Sequence, residues 1–296
     1  MKGEYPVGED ITDQVREALQ NILAQGSGRV GVAAQDLRTG REITWRADES
    51  FPTASMIKMA VLVELERQVL AGEQSWEASL RLTPEVKVGG SSLLRRMSDG
   101  LLLPVYDLAY LMMTVSDNTA TNMLIDLVGL DRVNRTMTDH GLSAIRLNNK
   151  IDFSRLWTDP NDFGVGAPRA FCRLMADILE ARILTPEACR HMLKFMDGVG
   201  AGERLARYLP YNPYAAQQRE RGASPQETGP ILHFAGKTGG LTGVRTHTAA
   251  LWSEEVPLRL AFSVMIADST DRTWSVDMDA LLTIARIGKL VYDTFT

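Results

Sequence analysis

From Phe51 to Leu70 the chain reads FPTASMIKMAVLVELERQVL. A proline and turn-prone residues precede Ser55, and the apolar run after it predicts a helix over Met56–Ala71. Serine and lysine three apart at a helix start share one face, so the Lys58 amine can reach the Ser55 hydroxyl. Free N–H groups and the helix dipole favour negative charge there, which suits a developing oxyanion. Taken alone, Ser55 has a bland reading too, since serine is a common helix N-cap.

Two further strings sharpen the choice. Ser116-Asp117-Asn118 lies between VYDLAYLMMTV (105–115) and TATNMLIDLV (119–128), which fits a loop joining two helices. Lys237-Thr238-Gly239 follows PILHFA (230–235), a run that reads as a strand. In a shuffled chain of this composition the three strings occur together about 5 times in 10,000, and less often in this order.

Outward from these motifs the pattern changes character. Asp10–Ala24 is an amphipathic helix with a stripe of Ile11, Val15, Leu19, Ile22 and Leu23, and Arg29–Leu37 and Glu42–Arg46 flank a short connection ending in Gly40, which reads as a hairpin. Pro104–Val115, Thr119–Val128, Pro168–Arg182 and Pro186–Phe195 are helical in pattern, with Met112, Met113 and Met123 as core. Leu205–Pro230, containing YLPYNPY and QQRERGASPQETG, reads as a long surface loop. Thr246–Trp252 and Leu258–Ala267 are strand-like, and Asp277–Phe295 closes with a helix. The expected fold class is α/β, in the α+β sense: an antiparallel sheet built from both chain ends, flanked by terminal helices, with an inserted all-helical lobe. The expected lobes are 1–54 with 206–296 for the sheet and 55–205 for the helices, with the active site between them.

Composition narrows the function classes. With 296 residues, 45% hydrophobic and 23% charged, the chain is an ordinary globular protein long enough to bury a core without disulfides or a structural metal. Cys172 and Cys189 make no CxxC and read as two small buried hydrophobes. A net charge of −5 leaves no electrostatic footprint for nucleic acid. No run of 18 apolar residues and no secretory signal is visible, so no membrane segment is expected. His233 and His247 flank the Lys237 strand and read as packed or exposed side chains rather than catalytic ones. No cofactor or metal is called for.

The three motifs as they stand, FPTASMIK, VSDNTATN and GKTGGLTGVR, resemble those of the class A serine β-lactamases within the penicillin-binding-protein superfamily. The lobe order matches from about residue 10 to Thr296, so a β-lactamase/transpeptidase-like fold is implied. The resemblance implies Ser55 as acylated nucleophile, Lys58 as its general base, Ser116 as proton relay to the leaving nitrogen, and Asn118 as anchor for Lys58 and the substrate amide. It also implies Lys237 and Thr238 as carboxylate binders and the backbone N–H groups of Ser55 and Gly240 as oxyanion hole. Desolvation and a second cation, Lys237, would lower the pKa of Lys58 into a useful range. Arg245, just past GLTG, either assists the substrate carboxylate or is a solvated strand arginine.

Two departures matter. Class A enzymes carry a glutamate in the loop after SDN that activates the deacylating water, and this chain has no glutamate between Glu85 and Glu180. Asp152, Asp159 and Asp162 lie in that stretch; Asp152, nearest the expected place, is the candidate water-activating residue, its other reading being a loop aspartate that only hydrogen-bonds local backbone. Gly240 stands where the family usually has a small hydroxyl or methyl residue. The expected function is a class A-like β-lactamase working through an acyl-enzyme on a small-molecule β-lactam, as a monomer, secreted or periplasmic as the family implies. The alternatives are a D-alanyl-D-alanine peptidase or esterase acting on a D-alanyl peptide or ester, and a slow-turnover β-lactam-binding protein.

Overall fold

A computed structural model describes residues 12–296. Asp10 and Ile11 of the first expected helix lie outside the described residues, and the helix runs over Asp13–Ala24. The chain divides into two compact units. The first comprises residues up to Glu49 with Ala167–Ala176 and Asp197–Thr296, and the second comprises Ser50–Gly166 and Asp177–Met196.

The first unit is built on a five-stranded antiparallel sheet in the order Glu42–Trp45, Arg29–Asp36, Arg259–Ala267, Val244–Trp252, His233–Leu241. Both chain ends thus supply strands. The first strand runs against the last over its whole length, from Arg29 opposite Ala267 to Asp36 opposite Leu260. The Asp279–Phe295 helix lays Ile284, Ile287 and Val291 into one core with Leu19, Val32, Phe262 and Val264. Each fully buried aliphatic side chain contributes roughly 2 kcal/mol. A Cβ at Gly288 would lie 2.1 Å from the Leu205 carbonyl oxygen, so only glycine lets this helix approach the backbone there.

The unit boundaries differ from the expected 54/55 and 205/206. Arg169 reaches back to Glu42 at 2.9 Å and Asp48 at 2.8 Å, and Cys172 donates to the Ala261 carbonyl, which ties residues 167–176 to the sheet. Gly198 donates to the Phe234 carbonyl at 2.8 Å and Asp197 bridges Ala235, which ties down the segment after residue 196. Phe51–Pro52 instead pairs with Val165–Gly166 inside the helical unit.

The second unit surrounds one central helix, Lys58–Leu70, whose residues are buried on nearly every side. Val105–Thr114, Asn118–Val128, Leu130–Asp139 and Pro186–Met196 pack against it. Met112, Met113 and Met123 are all buried in this packing. Two acids ride on the central helix. Glu64 is satisfied by Arg67 at 2.8 Å, Thr136 at 2.5 Å and Gln68 at 2.6 Å, and these bonds hold its carboxyl below the usual range against its burial. Glu66 lies 2.7 Å from His191 Nδ1 beneath Trp76, Tyr106 and Phe195. Both cysteines are buried, Cys172 donating to the Ala261 carbonyl and Cys189 to the Ile183 carbonyl.

Two local expectations change. The turn at Ser55 is a short 3₁₀ segment, Ala54–Ile57, and the α-helix proper begins at Lys58. The Leu205–Pro230 stretch is not loop throughout: it contains helices at Ala215–Glu220 and Pro225–Thr228, the second opened by a reciprocal capping box of Ser224 and Glu227. That box reads SPQE in the sequence, and its short span hid it among turn formers.

Candidate active site

The motif residues fall into two sets, one in each unit. In the helical unit, Ser55 sits in the 3₁₀ turn, three residues before the buried Lys58. Lys58 Nζ donates to Ser116 Oγ at 3.1 Å, to the Ser116 carbonyl at 2.8 Å and to Asn118 Oδ1 at 3.0 Å. These acceptors are neutral oxygens, so they hold the amine in place without a full opposing charge. Asn118 is fixed in turn, because its Nδ2 donates to the Gly89 carbonyl at 2.9 Å and its backbone N–H to the Ser91 carbonyl at 2.8 Å.

Backbone strain marks the same two places. Ala54 has φ +46° and Ser116 φ +59°, conformations that cost a non-glycine residue of order 1 kcal/mol or more. The residues flanking or forming the motifs are thus held where surrounding structure over-determines them. Asp117 supplies part of that hold. Fully buried, it caps the Asn118–Val128 helix through the Ala120 N–H at 2.9 Å, and it accepts from the Leu94 N–H at 3.0 Å and Ser92 Oγ at 3.1 Å. Asn122, one turn further on, clamps Ile151 at both ends of its amide, at 2.9 Å each.

The loop beyond Ile151 holds the expected water-activating residue, and it is occupied locally. Asp152 caps the Phe153–Leu156 turn, accepting from Ser154 N at 2.9 Å and Ser154 Oγ at 2.6 Å, and its other oxygen is 3.1 Å from Arg155. The Ser154 hydrogen bonds hold its carboxyl below the usual range. Asp162 takes Asn149 and Arg155, and Asp159 takes Asn161. The hydrogen bonds and ion pair of Asp152 do not include Ser55, Lys58 or Ser116.

In the sheet unit, Lys237, Thr238, Gly239 and Gly240 lie on the edge strand, opposite Thr248, His247, Thr246 and Arg245. Lys237 is fully buried and donates to the Thr238 carbonyl at 3.1 Å. Burial, and then the neighbouring Arg204, push its ammonium pKa down to about 7. Arg204 itself donates to the Gly239 carbonyl at 2.8 Å and the Thr246 carbonyl at 2.6 Å, while its buried Nε has no partner. Burial and Arg245 push its pKa to about 10, so it remains a cation at neutral pH. No motif announces Arg204, and nothing in the sequence pattern singled it out.

Arg245 is not a solvated strand arginine. It is 3% exposed, donates to the carbonyls of Leu241, Val244 and Thr273, and stacks on Trp274 with 4.2 Å to the ring centroid. His247 is fully buried behind Thr238, and burial with the two cations keeps its imidazole neutral. The segment crossing it contains Gly200, at φ +72°, where a Cβ would meet Thr238 Cγ2 at 2.3 Å. His233 stacks on Trp252. The sheet unit therefore concentrates two arginines and a lysine that is charged below about pH 7 around one strand edge, an arrangement that attracts a carboxylate.

A family model described as "Beta-lactamase enzyme family" matches residues 14–295. The chain belongs to the β-lactamase enzyme family. Among solved structures, it is similar to a β-lactamase from Sphaerobacter thermophilus at 27% identity and TM-score 0.79, covering 95% of this chain and 96% of that one. An ancestral class A β-lactamase matches at 24% identity and TM-score 0.74, covering 95% and 100%. A variant of PBP-A, solved as its acyl-enzyme complex with penicillin G, matches at 23% identity and TM-score 0.79, covering 98% of each chain. The latter two likenesses carry the fold. Family and fold together make the protein a hydrolase of the serine β-lactamase type.

Proposed function

We propose that the protein hydrolyses the amide of a β-lactam through an acyl-enzyme on Ser55. The observation that carries this reading is the Lys58 amine, buried on the same helix start as Ser55 and held by Ser116 and Asn118. Lys58 takes the Ser55 proton as the hydroxyl attacks the lactam carbonyl. Ser116, 3.1 Å from Lys58 Nζ, returns that proton to the departing nitrogen. Asn118 keeps Lys58 in register and receives the substrate amide. The oxyanion is received by the N–H groups of Ser55 and Gly240, each donor contributing roughly 3 kcal/mol in comparable sites.

Lys237 and Thr238 bind the substrate carboxylate, and Arg204, with its unpartnered Nε, adds charge to that end. Arg245 supports it by fixing the strand turn. This reading requires the two sets of residues to act on one substrate. Asp152 activates the deacylating water. With both oxygens engaged and its pKa lowered it is a weak base, so deacylation is the slow step. That slowness keeps a second reading in view, in which a D-alanyl peptide or ester is the substrate and β-lactams are traps.

Intact-mass time courses after adding a penicillin test the proposal. A transient adduct with accumulating hydrolysed product is expected in the wild type, and no adduct in Ser55→Ala. An adduct on Ser55→Ala would sink the nucleophile assignment. A lasting stoichiometric adduct without product would favour the peptidase or esterase reading. Lys58→Ala should slow acylation about 100-fold or more.

A further inference from the structure

Trp274 is 69% exposed, among the largest exposures of any big apolar side chain in the described residues. Most such side chains are scattered singly and mean nothing, but this one is held in place from several sides. One face of its indole lies on the Arg245 guanidinium, at 4.2 Å, and that guanidinium is anchored by three backbone carbonyls, including the carbonyl of Thr273 next door.

The loop that carries the ring is equally tied. Asp271 accepts from Thr273 N at 3.0 Å, Thr273 Oγ1 at 2.7 Å and Asp279 N at 3.0 Å, closing the segment onto the start of the last helix. Arg207 donates to the Val276 carbonyl at 2.6 Å and to Asp277 at 2.7 Å from the other side. An exposed indole on a loop pinned at both ends costs little further entropy on binding a ligand.

Its position gives it a use. A Cβ built at Gly240 would sit 3.8 Å from the indole Cζ3 and 3.8 Å from Arg245, so the ring stands beside the strand edge at the residue after Lys237-Thr238-Gly239. At Gly240 the edge presents no side chain, and a Cβ there would be in ordinary contact with the indole, so the ring edge borders the bare strand directly. The face of the ring not covered by Arg245 is the surface a flat group would use.

We propose that Trp274 is a specificity-determining platform, on whose exposed indole face, beside the bare strand edge at Gly240, a planar aromatic substituent adjacent to the substrate's carboxylate stacks. This rests on the proposed function, which sends the carboxylate to Lys237, Thr238 and Arg204. Its chemistry is offset or edge stacking of a flat ring on an indole already polarised by a guanidinium. The substrate class it favours is a cephalosporin with a heteroaromatic group on the ring carbon next to the carboxylate-bearing carbon, over one with a methyl group there.

The test compares second-order acylation rates for such a pair in wild type, Trp274→Ala and Trp274→Phe. The preference for the heteroaromatic compound should fall about fivefold in Trp274→Ala, on the scale of one aromatic pair, and be largely retained in Trp274→Phe. An equal loss for both compounds would show that the indole acts only by holding Arg245, and that overturns the platform. An unchanged ratio in all three proteins overturns it as well. Equilibrium affinities of the same two compounds for Ser55→Ala, and for Ser55→Ala combined with Trp274→Ala, measured by calorimetry, separate the two proposals. A heteroaromatic preference that is lost with Trp274 supports the platform even if no adduct ever forms on the wild type. Equal affinities of the two compounds for Ser55→Ala remove the platform and leave the acyl-enzyme standing.

Discussion

Two residues, Lys237 and Asp152, set the pH and lifetime behaviour expected of the site. Burial and Arg204 bring the Lys237 ammonium down to about 7, so above that pH it loses the charge that, in the proposed function, attracts the substrate carboxylate. Affinity for a β-lactam carboxylate should therefore fall as pH rises through about 7. Arg204→Gln removes one of the two causes, and the falling limb should move to higher pH even as overall affinity drops. A limb that stays in place would mean that Lys237 does not carry the titration. For Asp152, Asp152→Asn should leave acylation nearly intact and lengthen the adduct lifetime, because the amide keeps the cap but accepts no proton. Equal lifetimes in wild type and in the asparagine variants at Asp152, Asp159 and Asp162 would remove every loop carboxylate from the mechanism.

The Lys58–Leu70 helix bears the site lysine at one end and the buried Glu66 two turns along. Burial raises the Glu66 carboxyl from its ordinary 4.5 to about 8, its buried Oε1 having no hydrogen-bond partner, and burial also lowers the pKa of His191, whose Nδ1 lies 2.7 Å away. Unfolded Glu66 loses its proton near 4.5 while folded Glu66 keeps it to about 8. Its contribution to stability is thus complete below pH 4.5 and lost as pH rises to about 8. Glu66→Gln keeps the shape and a donor, and it should flatten the decline in unfolding free energy between pH 5 and 8, on the order of a few kcal/mol. A wild-type stability curve already flat over that interval would refute the assignment. The same helix shows how a motif can be legible while its geometry is not. Spacing alone places Ser55 and Lys58 on one face, yet the 3₁₀ turn at Ala54–Ile57 and the strain at Ala54 come from what surrounds the helix start.

At the scale of the whole chain, the sheet unit is closed by its last helix, and Gly288 is the point of closest approach. Gly288→Ala would force a methyl against the Leu205 carbonyl and should cost about 2 kcal/mol or more by overpacking. A denaturation midpoint unchanged by the substitution would contradict that packing. Periodicity, turn chemistry and the three motifs determined the sheet from both ends, the inserted helices and the family, because each of these signals is local and repeats along the chain. Burial decided the rest. Arg204 and Trp274 gain their places from the carbonyls and guanidinium that distant segments bring to them, and Arg245, read in the sequence as either a carboxylate partner or a solvated strand arginine, is a buried strut. Asp152 was legible as the loop carboxylate nearest the place the resemblance implies, but its pairing with Ser154 and Arg155 depends on a turn that packing shapes. A side chain's charge is written in the sequence, whereas its solvation and partners are set by which parts of the chain fold against it.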